Sequence, residues 1–148
     1  MTLTLSLYIE KLQISEDGSQ VFDPIRKIWV RLTPEESVRQ AIILYLIHDR
    51  KYPRGHIGVE KKIKYHNLDK RYDLVVYTKK GQPEILVECK SPRVNLSQKA
   101  LDQTQIYNEM LSARYLWISN GHSHLIFECD YSDKSVHIID EVVPYSSR

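Results

Sequence analysis

The sequence predicts an α/β fold of the α+β kind, with a mixed central sheet and helices packed on its faces. Three observations carry that expectation. Two apolar strands, Arg71 to Tyr77 and Glu84 to Lys90, flank the turn Lys79-Lys80-Gly81-Gln82-Pro83 and read as a hairpin. A capped helix begins at Thr33-Pro34. A second helical stretch lies between extended segments, as a crossover to a parallel strand requires.

The elements follow in order. Leu3 to Ile14 alternates in part and predicts a strand, and Glu16-Asp17-Gly18-Ser19 reads as a turn. Ile28 to Leu32 is a short extended run. Thr33 is an N-cap, Pro34 suits the first helical position, and Glu36 completes a capping box. Val38, Ala41, Ile42, Tyr45 and Leu46 continue at helical spacing, and the helix should stop before Tyr52-Pro53. Ile57, Val59, Lys61, Ile63 and Tyr65 alternate with Gly58, Glu60, Lys62 and Lys64, which predicts a strand with one largely apolar face. After the hairpin, Ser91-Pro92-Arg93 breaks the sheet. Asn95 or Ser97 caps the second helix, whose stripe is Leu101, Thr104, Tyr107, Met110 and Leu111. Tyr115 to Ser119 is an apolar strand, Asn120-Gly121 a hairpin turn, His124 to Cys129 the returning strand, and Val136 to Val143 a last strand.

At 148 residues the chain is expected to form one domain around one core, with the core spanning about residues 28–130 and a strand added at each end. No apolar run approaches the roughly 20 residues of a membrane span. The first twelve residues lack a basic, then apolar, signal-peptide pattern. Cys89 and Cys129 form neither a metal-type nor a disulfide framework, so a reducing cytoplasm is the expected compartment. The net charge of +2 excludes nothing, but Lys61, Lys62, Lys64, Lys70, Arg71, Lys79 and Lys80 cluster between residues 60 and 80. Such a cluster serves phosphate contact or a solvated edge that discourages strand aggregation.

The chemistry concentrates at Asp73 and at Glu88-Cys89-Lys90. Alternation places Leu86, Glu88 and Lys90 on one face of an apolar strand, where charges are costly unless paired or holding a metal. Asp73 and Glu88, 15 residues apart on adjoining strands, could hold Mg²⁺ together with the Cys89 backbone carbonyl. Lys90 could then orient water or meet phosphate charge. A surface ion pair gives the same Glu-x-Lys spacing. His122 and His124 read as surface histidines without a third metal ligand.

Taken together, the residues resemble the PD-(D/E)XK nuclease superfamily, and within it the endonuclease domain at the N-terminus of type I restriction enzyme R subunits. The resemblance runs from Trp29-Val30-Arg31-Leu32-Thr33-Pro34-Glu35-Glu36-Ser37-Val38-Arg39-Gln40 through Val59-Glu60-Lys61, Arg71-Tyr72-Asp73 and Val87-Glu88-Cys89-Lys90-Ser91-Pro92, then Gln103, Tyr107-Asn108 and Ala113 to Gly121. It implies a restriction-endonuclease-like fold and Mg²⁺-dependent DNA cleavage, with Mn²⁺ able to substitute. By it, Asp73, Glu88, Lys90 and Gln103 are catalytic. Glu36 is an additional acid that could hold a second metal through water. Arg39, Lys61, Lys62 and Arg71 are candidate DNA contacts. Tyr72 stands where the family's first motif has proline. These 148 residues show no Walker lysine loop, so no helicase motor and no translocation are expected from them. A homodimer, a targeting partner, and a non-catalytic DNA- or protein-binding module on the same fold all remain open on these residues.

Overall fold

The structure is a computed structural model that describes residues 5–96 and 102–146. It contains α1 (Ser6–Glu10), β1 (Gln20–Asp23), β2 (Ile28–Arg31), α2 (Pro34–His48), a 3₁₀ turn at Arg54–His56, β3 (Ile57–Tyr65), β4 (Leu68–Tyr77), β5 (Pro83–Cys89), α3 (Gln103–Glu109), β6 (Tyr115–Ser119), β7 (His124–Asp130) and β8 (Ser135–Ile139). Strands β3 to β8 form one six-stranded sheet in sequence order, and β1 and β2 form a separate ribbon. All pairings in the large sheet are antiparallel except β5 with β6, which is parallel. The expected mixed α+β sheet, and the crossover into a parallel strand, are present.

Helix α2 starts as its sequence directs. The Thr33 hydroxyl oxygen accepts from the Glu36 N–H at 3.0 Å, and Pro34 occupies the first turn. The return half of the capping box is missing, because the Glu36 carboxylate turns inward to Arg39 and Gln40. Val38, Ala41, Ile42, Tyr45 and Leu46 pack on one face of the sheet against Leu74, Val76, Ile85, Val87 and Trp117. Tyr45 meets Trp117 edge-on at 5.8 Å between centroids. The opposite face buries Leu86, Leu116, Ile118 and Phe127 under Ile106 and Met110.

Several sequence expectations are corrected. The strand expected from Leu3 to Ile14 is a short helix at Ser6–Glu10, anchored by buried Tyr8 beside Tyr45, and only Ile14 bridges to Val21. Leu3 lies outside the described residues, as do Ser97 and Leu101. Strand β1, unforeseen, forms by pairing with β2. Helix α3 is capped by Asp102, whose side chain accepts from Thr104 N–H at 2.7 Å. It buries Ile106 and Met110, while Thr104 is exposed and Tyr107 only half-buried. The last strand ends at Ile139, four residues short of the expected Val143.

Strand β3 departs most from simple alternation. Val59 packs in the α2-side core, whereas Ile63, four residues on, packs in the α3-side core. The cause is Glu60, held at φ 53°, a left-handed conformation that costs a non-glycine residue roughly 1–2 kcal/mol. Strand β4 makes the same switch at the same level, with Leu74 on the α2 side and Tyr72 on the α3 side. The expected single apolar face of β3 is therefore two half-faces joined at Glu60.

Candidate active site

The switch level is where the charged residues gather. Pairing of β4 with β5 proceeds from Tyr77↔Pro83 to Leu74↔Val87, so continuing the register sets Asp73 opposite Glu88. Instead of another backbone rung, the Asp73 carboxylate accepts the Cys89 N–H at 2.7 Å. A strand residue directs its N–H and C=O to the same side, so the Cys89 carbonyl also faces β4. On the other side, Lys90 N–H donates to the Ser119 carbonyl at 2.7 Å and fixes the residue just past the end of β5. Asn120, buried at the β6–β7 turn, holds the segment that follows. Its Nδ2 donates to the Val94 carbonyl at 2.7 Å, and its Oδ1 accepts from His122 and Ser123 N–H.

Asp73, Glu88 and Lys90 line one open pocket of about 410 Å³, together with Glu60, Lys70 and Arg71. Arg39 approaches Asp73 at 3.7 Å, and Lys70 approaches Glu88 at 3.9 Å. Both separations are ion-pair contacts too long for hydrogen bonds. Lys70 also pairs with Glu109 at the end of α3. Among the described residues, no carboxylate lies within ion-pair reach of the Lys90 ammonium.

Beside this open pocket lies a closed cluster. Arg39 grips Glu36 with two hydrogen bonds of 2.9 and 2.5 Å, and Gln40 donates to the same carboxylate at 3.1 Å. Gln40 also donates to buried Asp23, which accepts from Arg26 Nε at 2.8 Å. Burial opposes ionisation of Glu36, but Arg39, Gln40 and Arg26 outweigh it and hold its carboxyl below the usual range. Burial likewise opposes ionisation of Asp23, and its bonds to Arg26, Gln40 and Ile25 still lower its pKa. The Arg39 guanidinium is held charged against its own burial by Glu36, Glu60 and Asp73. Glu36 thus reaches Asp73 only through Arg39.

The sequence-derived residues divide accordingly. The structure brings together Asp73, Glu88, Lys90 and the Cys89 carbonyl. The Cys89 thiol is pushed up by burial and by Asp73, which leaves it neutral and leaves the backbone oxygen as the useful donor. Arg71 lines the pocket, whereas Lys61 lays its stem over Gly58 and Lys62 pairs with Asp69 at 3.5 Å. Gln103 is not brought to the cluster: its Nε2 donates to the Val136 carbonyl in β8 at 3.2 Å. Helix α3 crosses the sheet from β8 toward β4, so its first residue sits about 9 Å of helix from Glu109. Gln105 lines a cavity of about 600 Å³ together with Glu88 and Lys90. Glu60, Gln105 and Asn120 escaped the sequence reading as site residues, and Lys70 was named only within the basic cluster. Only Glu60 and Asn120 fell within its matched motifs. His124 is half-buried and accepts from Trp117 Nε1 at 3.2 Å, and burial lowers its pKa to about 4. It is not a surface histidine.

The donor set fits Mg²⁺, which takes one or two protein carboxylates and completes its octahedron with water and phosphate. Glu88 keeps both oxygens, and Asp73 one, clear of hydrogen bonds within 3.5 Å among the described residues. Also among them, no group of three or more His, Cys, Asp or Glu side chains is placed to hold a metal, so waters and a backbone oxygen would fill the sphere.

Fold and site define a mixed-sheet domain that presents opposed carboxylates and a lysine at the open end of a central strand. The chain belongs to the family described as the type I restriction enzyme R protein N terminus, whose profile matches residues 34–144. It is also similar to the solved fragment of an HsdR subunit of a type I restriction enzyme from Vibrio vulnificus YJ016, with 17% identity and a TM-score of 0.48. That match covers 76% of this chain and 24% of the other, so this chain spans about a quarter of the length of that structure. No curated protein matches.

Proposed function

We propose that this domain is a divalent-metal-dependent DNA endonuclease of the PD-(D/E)XK type. The observation that carries the reading is Asp73 opposite Glu88, with Lys90 in the same open pocket. Asp73, Glu88 and the Cys89 carbonyl would hold Mg²⁺ or Mn²⁺. A bound ion supplies Lewis-acid charge at the phosphate and a more acidic water. The protein's own part is positional. The Cys89 N–H fixes one Asp73 oxygen, the strand fixes Glu88, and the Lys90 ammonium stands ready for phosphate oxygen or for the attacking water. Glu36 contributes by holding Arg39 beside Asp73. Cys89 and Cys129 are free and buried, which suits a reducing cytoplasm. A directing partner or a second copy of the chain would supply the choice of DNA site.

The test is cleavage of supercoiled plasmid and duplex oligonucleotides with Mg²⁺ or Mn²⁺, beside Lys90→Ala purified identically. Loss of about 10²-fold or more in rate is expected for the variant. Equal cleavage by both proteins sinks the proposal. A second reading, a binding module that does not cut, draws on Arg39 and Lys70 standing where metal charge would otherwise act. Calorimetric titration with Mn²⁺ separates the two: heat that disappears in Asp73→Asn supports the metal site.

A further inference from the structure

The β3–β4 hairpin is longer than the sheet that carries it. Strand β5 pairs with β4 only as far as Leu74, so residues 61–72 find their ladder partners only in each other. Among the described residues they run past the end of β5 as a two-stranded ribbon. Its root is fixed: Ile63 and Tyr72 are buried in the α3-side core, and the Tyr72 hydroxyl donates to the Glu109 carbonyl. Its outer face carries the cross-strand pairs Lys62↔Arg71 and Lys64↔Asp69. Like charges directly opposite one another weaken a ribbon, so the Lys62–Arg71 rung carries a folding cost. Asp69 pairs with Lys62 at 3.5 Å, and among the described residues neither Lys64 nor Arg71 has an acidic partner within 4.0 Å. Arg71 also lines the pocket that holds Asp73, Glu88 and Lys90.

We propose that residues 61–72 form an arm that enters the major groove of duplex DNA, with the Lys62–Arg71 rung on the phosphates beside the one held at Asp73 and Glu88. The placement of that phosphate rests on the nuclease reading. The major groove admits a two-stranded β-ribbon, and a repelling pair of cations becomes favourable once phosphate lies between them. One rung along the ribbon is two residues, or roughly 6.7 Å, which keeps Arg71 within reach of the phosphate backbone at the site. At the tip, Tyr65 meets His66 edge-on and Leu68 is 59% exposed, so apolar and aromatic groups lead the arm toward base edges.

The test is fluorescence anisotropy with a labelled duplex DNA of about 25 base pairs, in Ca²⁺ to hold any cleavage in check, over a range of salt. The full chain is compared with a Lys62→Ala/Lys64→Ala/Arg71→Ala variant and with Arg71→Lys and Arg71→Glu. The triple variant should bind about 10- to 100-fold more weakly, with its salt slope reduced by about 3. Arg71→Lys should stay near the parent, and Arg71→Glu should lose at least as much as removal of one phosphate contact. Parental affinity and slope in the triple variant overturn the proposal. So does equal binding of duplex RNA, whose deep, narrow major groove excludes such an arm. Ribbon-dependent binding without any cleavage by the parent removes the nuclease reading alone. Cleavage with ribbon-independent binding removes the arm alone.

Discussion

Glu36 and Glu88 are the same residue type on neighbouring elements, and the fold treats them oppositely. Glu36 is 7% exposed, and both of its oxygens are taken by Arg39 and Gln40 donors. Glu88 is half-buried, and among the described residues its cation partner is Lys70 at 3.9 Å. A buried, saturated carboxylate has nothing left to offer a ligand, and its worth is architectural. A half-exposed carboxylate with a loose cation nearby can exchange that cation for a metal at small cost to the fold. The contrast separates residues that build the site from residues that would act in it.

The comparison breaks most visibly at Glu36. Glu36→Ala leaves the Arg39 guanidinium buried without its main partner, which should cost about 3–5 kcal/mol. Thermal or urea unfolding reads this directly, and a change within 0.5 kcal/mol, roughly the scatter of surface substitutions, would contradict the architectural role. Acid is a gentler form of the same break. Because the folded-state pKa values of Glu36 and Asp23 are lowered, the stability they add is fully present above the unfolded carboxyl range near pH 4. It is lost as pH falls below that range through their folded values. Melting temperatures from pH 7 to pH 2 should drop in that window, and Glu36→Gln should flatten the drop. The smallest expected change is at Glu88. Glu88→Gln should alter stability by about 1 kcal/mol or less, as for a long, partly exposed ion pair, while abolishing the Mn²⁺ heat. A large loss of stability in this variant would erase the distinction between the two glutamates.

Local chemistry made much of this legible in the sequence. Turn residues and alternating apolar runs located the β4–β5 hairpin, and the hairpin alone sets Asp73 opposite Glu88. Thr33-Pro34 located the start of α2, and Tyr52-Pro53 bounded its end. Less legible were features decided by distant partners. The capping-box spacing at Glu36 was present, but Arg39 and buried Gln40 compete more strongly for that carboxylate than the Thr33 N–H does. Asp23 and Arg26 meet within one turn, but Gln40 lies 17 residues beyond Asp23 and reaches it only once the β1–β2 ribbon folds against α2. Gln103 was implied by the family resemblance, yet the path of α3 across the sheet carries it to Val136. The backbone reversal at Glu60 had no local signal, because glutamate is an unfavoured residue for positive φ.

The order of the large sheet, β3 to β8 without a transposition, also bears on time. Every strand pairs with its predecessor in the chain, and only the step from β5 to β6 needs a long loop closed. Rates of folding track how far apart in sequence the contacting residues lie. Asp73 and Glu88 sit on either side of one short turn, so their meeting is among the earliest events available to the chain. Lys90 is fixed by Ser119, across the crossover, and must wait for β6. Contact separation alone predicts that the opposed carboxylates meet before the lysine is fixed, and that the docking of β6 onto β5 completes the constellation.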